Sequence, residues 1–506
     1  MDLLKVNYKQ GVKNMKNIKL KCFFILVIFA FLTLFVFCKK SDDKKTDTQD
    51  MTGKIEETYI QEDGKTSIIS ERSKILDNIE EEDMGGREFR ILVRESLTDE
   101  FFIEEETGEP VDDAIYLRNR KIEERFNIEL KERTAPHNQA GSTAVKSIKS
   151  GEDAYDLVAE NMVLLASAAL NKPFINLKEI DSLDLSGVWF FQDAVKELSV
   201  NEKLYILPGE ACSTILQASY CYYFNKSLIA DHGLENPYTL VLEGKWTLDN
   251  FTSMIKGLYR DLNGDSNKDL GDFYGFSAFN VSHPVTYTYS SGMRVTKIGS
   301  LGIPEFAVPN EKVYANFAKV FALHCNNPDT FGAKMEEQTA AVELFKNRQA
   351  VFLTETIGST EDFRILEDDF GIIPFPKYDE TQDKYYTFAD GYASMMAVPI
   401  TVRDTEQAGK IITALNAESW KTVIPQYYDM AIKVKYVRDD ESVQVLDILL
   451  DGRVFDFGYI YDDWKGYGFY MWDLISKNDP NISSYFEKKE NSANKNLEKV
   501  LKIFED

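Results

Sequence analysis

From Gly85 onward, short apolar runs alternate with amphipathic stretches, and about 420 residues patterned this way exceed what one hydrophobic core can hold. In GGREFRILVRES, Phe89, Ile91 and Val93 alternate with polar neighbours, the period of a half-buried strand. DDAIYLRNRKIEERF then sets Ile115, Leu117, Ile122 and Phe126 on one broad helical face. NIELKE and YDLVAE read as strands on either side of the helical STAVKSIKS. Strands alternating with helices predict an α/β fold with a largely parallel sheet, and the length predicts two such lobes. Further on, residues 246–259 (WTLDNFTSMIKGLY) read as a helix with Thr247 as N-cap. YGFSAF, AVFLTE and FGIIPFP read as strands, the last stopped by Pro374 and Pro376. EQAGKIITALNAESW reads as a helix, and the chain after residue 426 as mostly helical.

The N-terminus has a different composition. Lys13, Lys16, Lys19 and Lys21 precede the 17-residue apolar run CFFILVIFAFLTLFVFC, from Cys22 to Cys38, and the charged KKSDDKKTDTQD follows at once. That order is the pattern of a secretory signal, with Met15 a plausible start. Seventeen residues also reach the lower limit for spanning a hydrocarbon core of roughly 30 Å, so an uncleaved anchor is the rival reading. Both readings put the rest of the chain outside the cytoplasm. Residues 39–84 carry too much charge and too few large apolar side chains to offset the entropy of ordering, and they read as a disordered tether.

Charge and cysteine content narrow the partners. The formal charge is −25, and residues 1–38 alone hold six lysines and one aspartate, so the remainder carries −30. A field of that sign repels nucleic acid and anionic surfaces. Beyond the signal region only Cys212, Cys221 and Cys325 remain, in no metal-binding CxxC spacing. Cys212 and Cys221 are either a short-loop bridge formed after export or unpaired buried thiols. The four histidines (His137, His232, His283 and His324) are scattered. There is no HExxH, GxSxG or GxxxxGK[ST], so the chain is expected not to be an enzyme.

Taken in order, several segments resemble one family. They are ILVRE, RNRKIEERF, YDLV, SGVWFFQDAVKELSVNEKLYILPGE, YYFNKSLIADHGL, WTLDNF, and AVFLTE followed by DFGIIPFPKYDETQDKYYTFADGYASMMAVP. Together they resemble the extracellular solute-binding proteins, family 1, of carbohydrate ABC importers, the maltose-binding-protein-like class. Cys38, closing the apolar run before a polar tether, is similar to the lipidated cysteine of a bacterial lipobox. Leu34 and Val36 suit such a box, while Phe37 stands where a small residue is usual.

The resemblance implies a type II periplasmic-binding-protein-like fold: two α/β lobes, a hinge, and a ligand cleft between them. Lobe one would be 85–210 plus 395–425, and lobe two 211–392 plus 426–506, with crossings near LYILPGE and GYASMMAV. It implies a lipid-anchored, extracytoplasmic and monomeric receptor that captures a carbohydrate, an oligosaccharide in the first instance, and delivers it to ABC permease transmembrane subunits. A peptide or other polar solute is the alternative ligand. A surface interaction lipoprotein and a secreted glycan hydrolase are alternatives of other classes. Sugars are held by aromatic faces and planar polar groups on loops at the carboxyl ends of strands. The candidates in those loops are Glu95, Ser96, Glu160, Asn161, Trp189, Phe190, Glu210, Glu355, Asp390 and Tyr392. The aromatics Tyr427, Tyr428 and Trp464 read more readily as core.

One loop suggests an ion. In DLNGDSNKDLGD, Asp261, Asn263, Asp265, Asp269 and Asp272 recur at calcium-loop spacing, with Asn267 placed to give a backbone carbonyl. Ser266 replaces the usual glycine and Asp272 the longer bidentate Glu, so a weak, structural Ca²⁺ site is expected, with an ion-free polar turn as the alternative.

Overall fold

The structure is a computed structural model that describes residues 72–427 and 440–505. The signal segment, Cys38, the tether as far as residue 71, and Tyr428 lie outside the described residues. In chain order the strands are β1 (Arg87–Arg94), β2 (Ile128–Ala135), β3 (Leu157–Asn161), β4 (Tyr220–Asn225), β5 (Tyr274–Phe279), β6 (Thr296–Ile298) and β7 (Pro304–Phe306). They continue with β8 (Thr330–Ala333), β9 (Ala350–Thr356), β10 (Phe370–Ile373), β11 (Thr387–Phe388), β12 (Ser394–Ala397) and β13 (Arg453–Val454).

Two principal sheets organise the chain. The first has the order β12-β3-β1-β2, and the second β10-β4-β9-β5-β8. β1 pairs in parallel with β2 and β3, while β12 joins β3 antiparallel. In the second sheet β5 pairs in parallel with β8 and β9, whereas β4 runs antiparallel to both β9 and β10. The sheets are therefore more mixed than the expected largely parallel arrangement. The reason is local: β4 and β12 are the strands entered directly from segments that pass between the sheets, so they run against their neighbours.

These connecting segments lie side by side. Leu207 and Met396 exchange both backbone hydrogen bonds, at 3.0 and 2.9 Å, and the Asp390 amide donates to the Ala218 carbonyl at 2.9 Å. The first connection therefore runs antiparallel to the second, with bridges at Leu207–Met396 and Ser219–Ala389. Gly209 makes the close approach possible, because a Cβ there would fall 2.1 Å from Asn416 Oδ1, which accepts from the Ala211 amide.

Local elements follow their sequence signals. Thr247 caps the helix Leu248–Met254 by accepting from the Asn250 amide. That helix stops short of the expected 259, because Asp329 draws the Gly257 and Tyr259 amides to its carboxylate at 2.9 and 2.7 Å. Trp246 is fully buried at the centre of an aromatic cluster with Tyr222, Phe251 and Phe352. Cys212 and Cys221 are both buried free thiols, so the bridge considered above is not formed. No helix of the described residues is long and apolar enough to cross a membrane.

Candidate functional site

The connecting segments bring the carboxyl-terminal edge of the first sheet against the edge of the second. On the first edge Arg94, the last residue of β1, is the organising group. It is 1% exposed and donates from Nη1 to the Tyr392 carbonyl (2.9 Å) and from Nη2 to Ser394 Oγ (2.7 Å). Its Nε lies 3.5 Å from Glu160 Oε1, and its guanidinium is 4.6 Å from the centre of the Tyr392 ring. Glu100 completes the group. Oε1 accepts from the Thr214 amide and hydroxyl, at 2.9 and 2.6 Å, and Oε2 accepts from Ser394 Oγ at 2.6 Å. The Ser394 amide in turn donates to Thr214 Oγ1 at 2.9 Å. One carboxylate thus ties both connecting segments to the first sheet.

Burial pushes the Glu100 carboxyl up, while its hydroxyl donors on Ser394 and Thr214 and the Arg94 charge pull it back. Burial acts on Glu160 in the same direction, opposed by Arg94 and by backbone amides. Arg118, fully buried, is pulled down to about 10 by burial, and Glu100 is the largest influence against it. Two buried cations therefore face two buried carboxylates, an arrangement that is stable only when each lone pair and N–H finds a partner.

The second edge is open in its chemistry. Tyr220, the first residue of β4, donates its hydroxyl to Asp390 Oδ2, and Asp390 Oδ1 accepts from the Tyr392 amide at 2.8 Å. Glu355, near the end of β9, accepts from the Thr356 amide and Ser359 Oγ, both at 2.9 Å. Its Oε1 lies 3.7 Å from His283 Nε2, and His283 Nδ1 is 3.1 Å from Thr354 Oγ1. The Tyr220 and His283 rings are 5.1 Å apart. Burial lowers the His283 pKa, against the pull of Glu355 and Asp390, so the imidazole is neutral at neutral pH.

Asp390 and Tyr392 join the two edges into one strip. Glu95 is exposed beside it, and Ser96 Oγ contacts His137 Nδ1 at 2.8 Å, with the His137 and Tyr392 rings 6.1 Å apart. Of the residues expected from the sequence, the structure thus gathers Glu95, Glu355, Asp390 and Tyr392. The others are engaged elsewhere. Asn161 spends its side-chain oxygen capping the helix Met162–Ala169, accepting from the Val163 and Leu164 amides. Trp189 and Phe190 are 3% and 2% exposed and belong to the core, the indole lying where a Gly187 Cβ would sit 2.3 Å away. Glu210 is buried beside Arg453 at 3.7 Å, and burial raises its pKa.

Sequence reasoning passed over Arg94, Glu100, Tyr220 and His283. For Arg94 and Tyr220 the signal was a charge or hydroxyl at the end of an apolar strand, which reads equally well as a solvated terminus, while Glu100 and His283 lie in short helical turns with no such signal. Trp464 was read as core, but it is 50% exposed in a loop where Asp463 and Trp464 hold φ of 47° and 60°. Two consecutive non-glycine residues in the left-handed region are costly and mark a constrained presentation. The indole stacks on Phe469 (3.7 Å, 22°) and meets Trp472 edge-on (5.2 Å). Asp463 reaches Ser167 of the helix that Asn161 caps.

In the 261–272 loop the oxygens cap turns. Asp261 accepts from the Gly264 and Ser266 amides, Asn263 from Asp265, and Asp265 from Asn267. Asp269 accepts from Gly271 and from Asn263 Nδ2, while buried Asp272 accepts from Leu262 and the Tyr259 hydroxyl. Among the described residues no three His, Cys, Asp or Glu side chains converge as metal ligands.

No protein-family model matches the sequence, and no curated protein does. Solved structures match in fold over most of the chain. UspC of M. tuberculosis aligns with a TM-score of 0.54 at 12% identity, over 81% of this chain and 100% of that one. The ABC substrate-binding protein Lmo0181 from Listeria monocytogenes, solved with cycloalternan, gives 0.51 at 14% identity over 82% and 99%. The GacH receptor of Streptomyces glaucescens GLA.O, solved unliganded and with acarbose and an acarbose homolog, gives 0.50 at 12% over 83% and 99%. At such identities the likeness is one of fold. The chain has the α/β, type II periplasmic-binding-protein-like fold of ABC substrate-binding proteins.

Proposed function

We propose that this chain is the extracytoplasmic substrate-binding component of an ABC importer. It captures a carbohydrate, an oligosaccharide in particular, by hinge closure and delivers it to the permease transmembrane subunits. The observation that carries the reading is the strip at the connecting segments. There Tyr392, its ring backed by Arg94, donates its amide to Asp390, which also takes the Tyr220 hydroxyl, and His283 beside Tyr220 leads on to Glu355, so an aromatic ring and acceptors for sugar hydroxyls share one strip. Trp464, a half-exposed indole on an aromatic base, supplies a second stacking face in the same reading. The fold likeness supports it, and so do the ligands in those relatives: cycloalternan in one and acarbose in another.

In this reading the chain binds and does not catalyse, and it acts as a monomer. The basic segment, apolar run and Cys38 support export and attachment to the membrane by a lipid, with an uncleaved anchor as the other route. Calcium at residues 261–272 rests on spacing alone and requires Asp261, Asp265 and Asp269 to turn from the backbone amides they now cap toward the ion. Isothermal calorimetry against mono- and oligosaccharides, with peptides as the comparison panel, tests the function. Saturable heats with an oligosaccharide and no product formation are expected. Binding of peptides only would move the chain to the alternative ligand class.

A further inference from the structure

Where the first connecting segment leaves Trp189 behind, three polar groups are incompletely paired. Glu210 is 6% exposed, and its carboxylate lies 3.7 Å from Arg453 Nη2, beyond hydrogen-bond length. Arg453 Nη1 is buried with no partner among the described residues, and so is the indole Nε1 of Trp189, whose carbonyl accepts from the Glu210 amide. Unmet buried donors are costly, and a native fold retains them where another arrangement satisfies them or where they serve as a reservoir of strain.

Arg453 is placed to sense the relation between the lobes. It opens β13, which pairs with β11 just before the second connecting segment, and its Nε donates to the Leu450 carbonyl at 2.8 Å. The helix of Leu450, Asp440–Asp451, packs against β10 of the second sheet. On its other side the guanidinium lies over the Phe191 ring at 4.5 Å, and Phe191 leads into the helix Gln192–Glu197 before the first connecting segment. One side chain therefore touches both sides of the hinge, and its charge partner sits on the segment that joins them.

We infer that Arg453 and Glu210 form a hinge latch, half-made in this conformation, that closes into a charge-assisted hydrogen bond when the lobes draw together at this point. Shortening the contact by less than 1 Å from 3.7 Å would pair the carboxylate with the guanidinium. The latch favours the closed arrangement, and Arg453 is a positioning residue rather than a ligand contact. The inference rests on the proposed hinge closure but not on the identity of the ligand.

Its test uses ligand-free mature chain carrying spin labels at Lys149→Cys and Glu361→Cys, both exposed positions, in a Cys325→Ser background. Pulsed dipolar distances are compared for Arg453→Gln, Arg453→Lys and Glu210→Gln. Both Gln variants are expected to shift the distribution toward longer distance by the same amount, and the double variant to add nothing. Arg453→Lys, which keeps the charge without the fork, should shift it less. If Arg453→Gln does not fold, the isosteric Glu210→Gln decides alone. A folded Glu210→Gln protein with an unchanged distribution overturns the latch. A lack of sugar binding would sink the proposed function while leaving this distance measurement valid.

Discussion

The two sheet edges that meet at the strip are built on opposite principles. On the first, Arg94 and Arg118 face Glu100 and Glu160 in full burial, and hydroxyls of Thr214 and Ser394 fill the remaining positions. On the second, Glu355 and Asp390 are half-buried, and the basic side chain beside Glu355, at 3.7 Å, is the neutral His283. A closed ionic network is rigid and has no bonding capacity left over, whereas carboxylates held only by hydroxyls, amides and a neutral imidazole can exchange those partners for a ligand's hydroxyls. In the proposed function the first edge is the support and the second the recognising surface. The comparison can be broken by mutation, because the two edges should fail differently.

The largest effect is expected at Glu100. Glu100→Ala removes the acceptor shared by Thr214 and Ser394 and the negative charge that opposes buried Arg118, and so frees both connecting segments, at a cost of about 3–5 kcal/mol in urea unfolding. A loss below about 1 kcal/mol would show that the network is not the support. Arg94→Met keeps bulk but drops the donors to Tyr392 and Ser394, and should cost both stability and at least tenfold in sugar affinity by calorimetry. Asp390→Asn and Glu355→Gln act on the open edge: affinity should fall about tenfold, roughly 1.4 kcal/mol, while melting stays within a few degrees of wild type. Equal losses of stability at both edges would erase the distinction.

A smaller effect concerns pH. Burial pushes the Asp462 carboxyl from 3.8 up to about 7. Between those values the unfolded chain binds fewer protons at this site than the folded one, so stability falls as pH rises through the window and is unaffected below it. Asp462→Asn removes that slope, so the variant should gain on wild type between pH 5 and pH 8 in thermal unfolding. A constant difference across that range would contradict the assignment. The smallest expected effect is from calcium. Millimolar Ca²⁺ should raise the melting point slightly, and Asp265→Asn should abolish the rise; no rise and no bound ion would remove calcium from the account.

The strands and helices were legible because their signals are local. Phe89, Ile91 and Val93 recur at every second position of a strand that the structure also buries at Leu92 and Arg94, and Thr247 caps within three residues of its target. Glu355, Asp390 and Tyr392 could be placed because each lies at a strand end or a turn between sheets. The supporting network was not legible, since Glu100 meets Ser394 across 294 residues and no spacing rule joins them. Trp189 misled because loop aromatics resemble exposed platforms, and only the closeness of Gly187 shows that this one is sealed. Trp464 misled in the opposite direction, since nothing in DDWKG announces two left-handed residues.

Capture of an oligosaccharide at the strip by lobe closure is tested most directly by small-angle scattering of the chain, titrated with the tightest-binding sugar found by calorimetry. A radius of gyration that falls on saturation in wild type, and at much higher sugar concentration in Asp390→Asn, is the result expected. Saturable binding with an unchanged radius, or with equal affinity in Asp390→Asn, would contradict it.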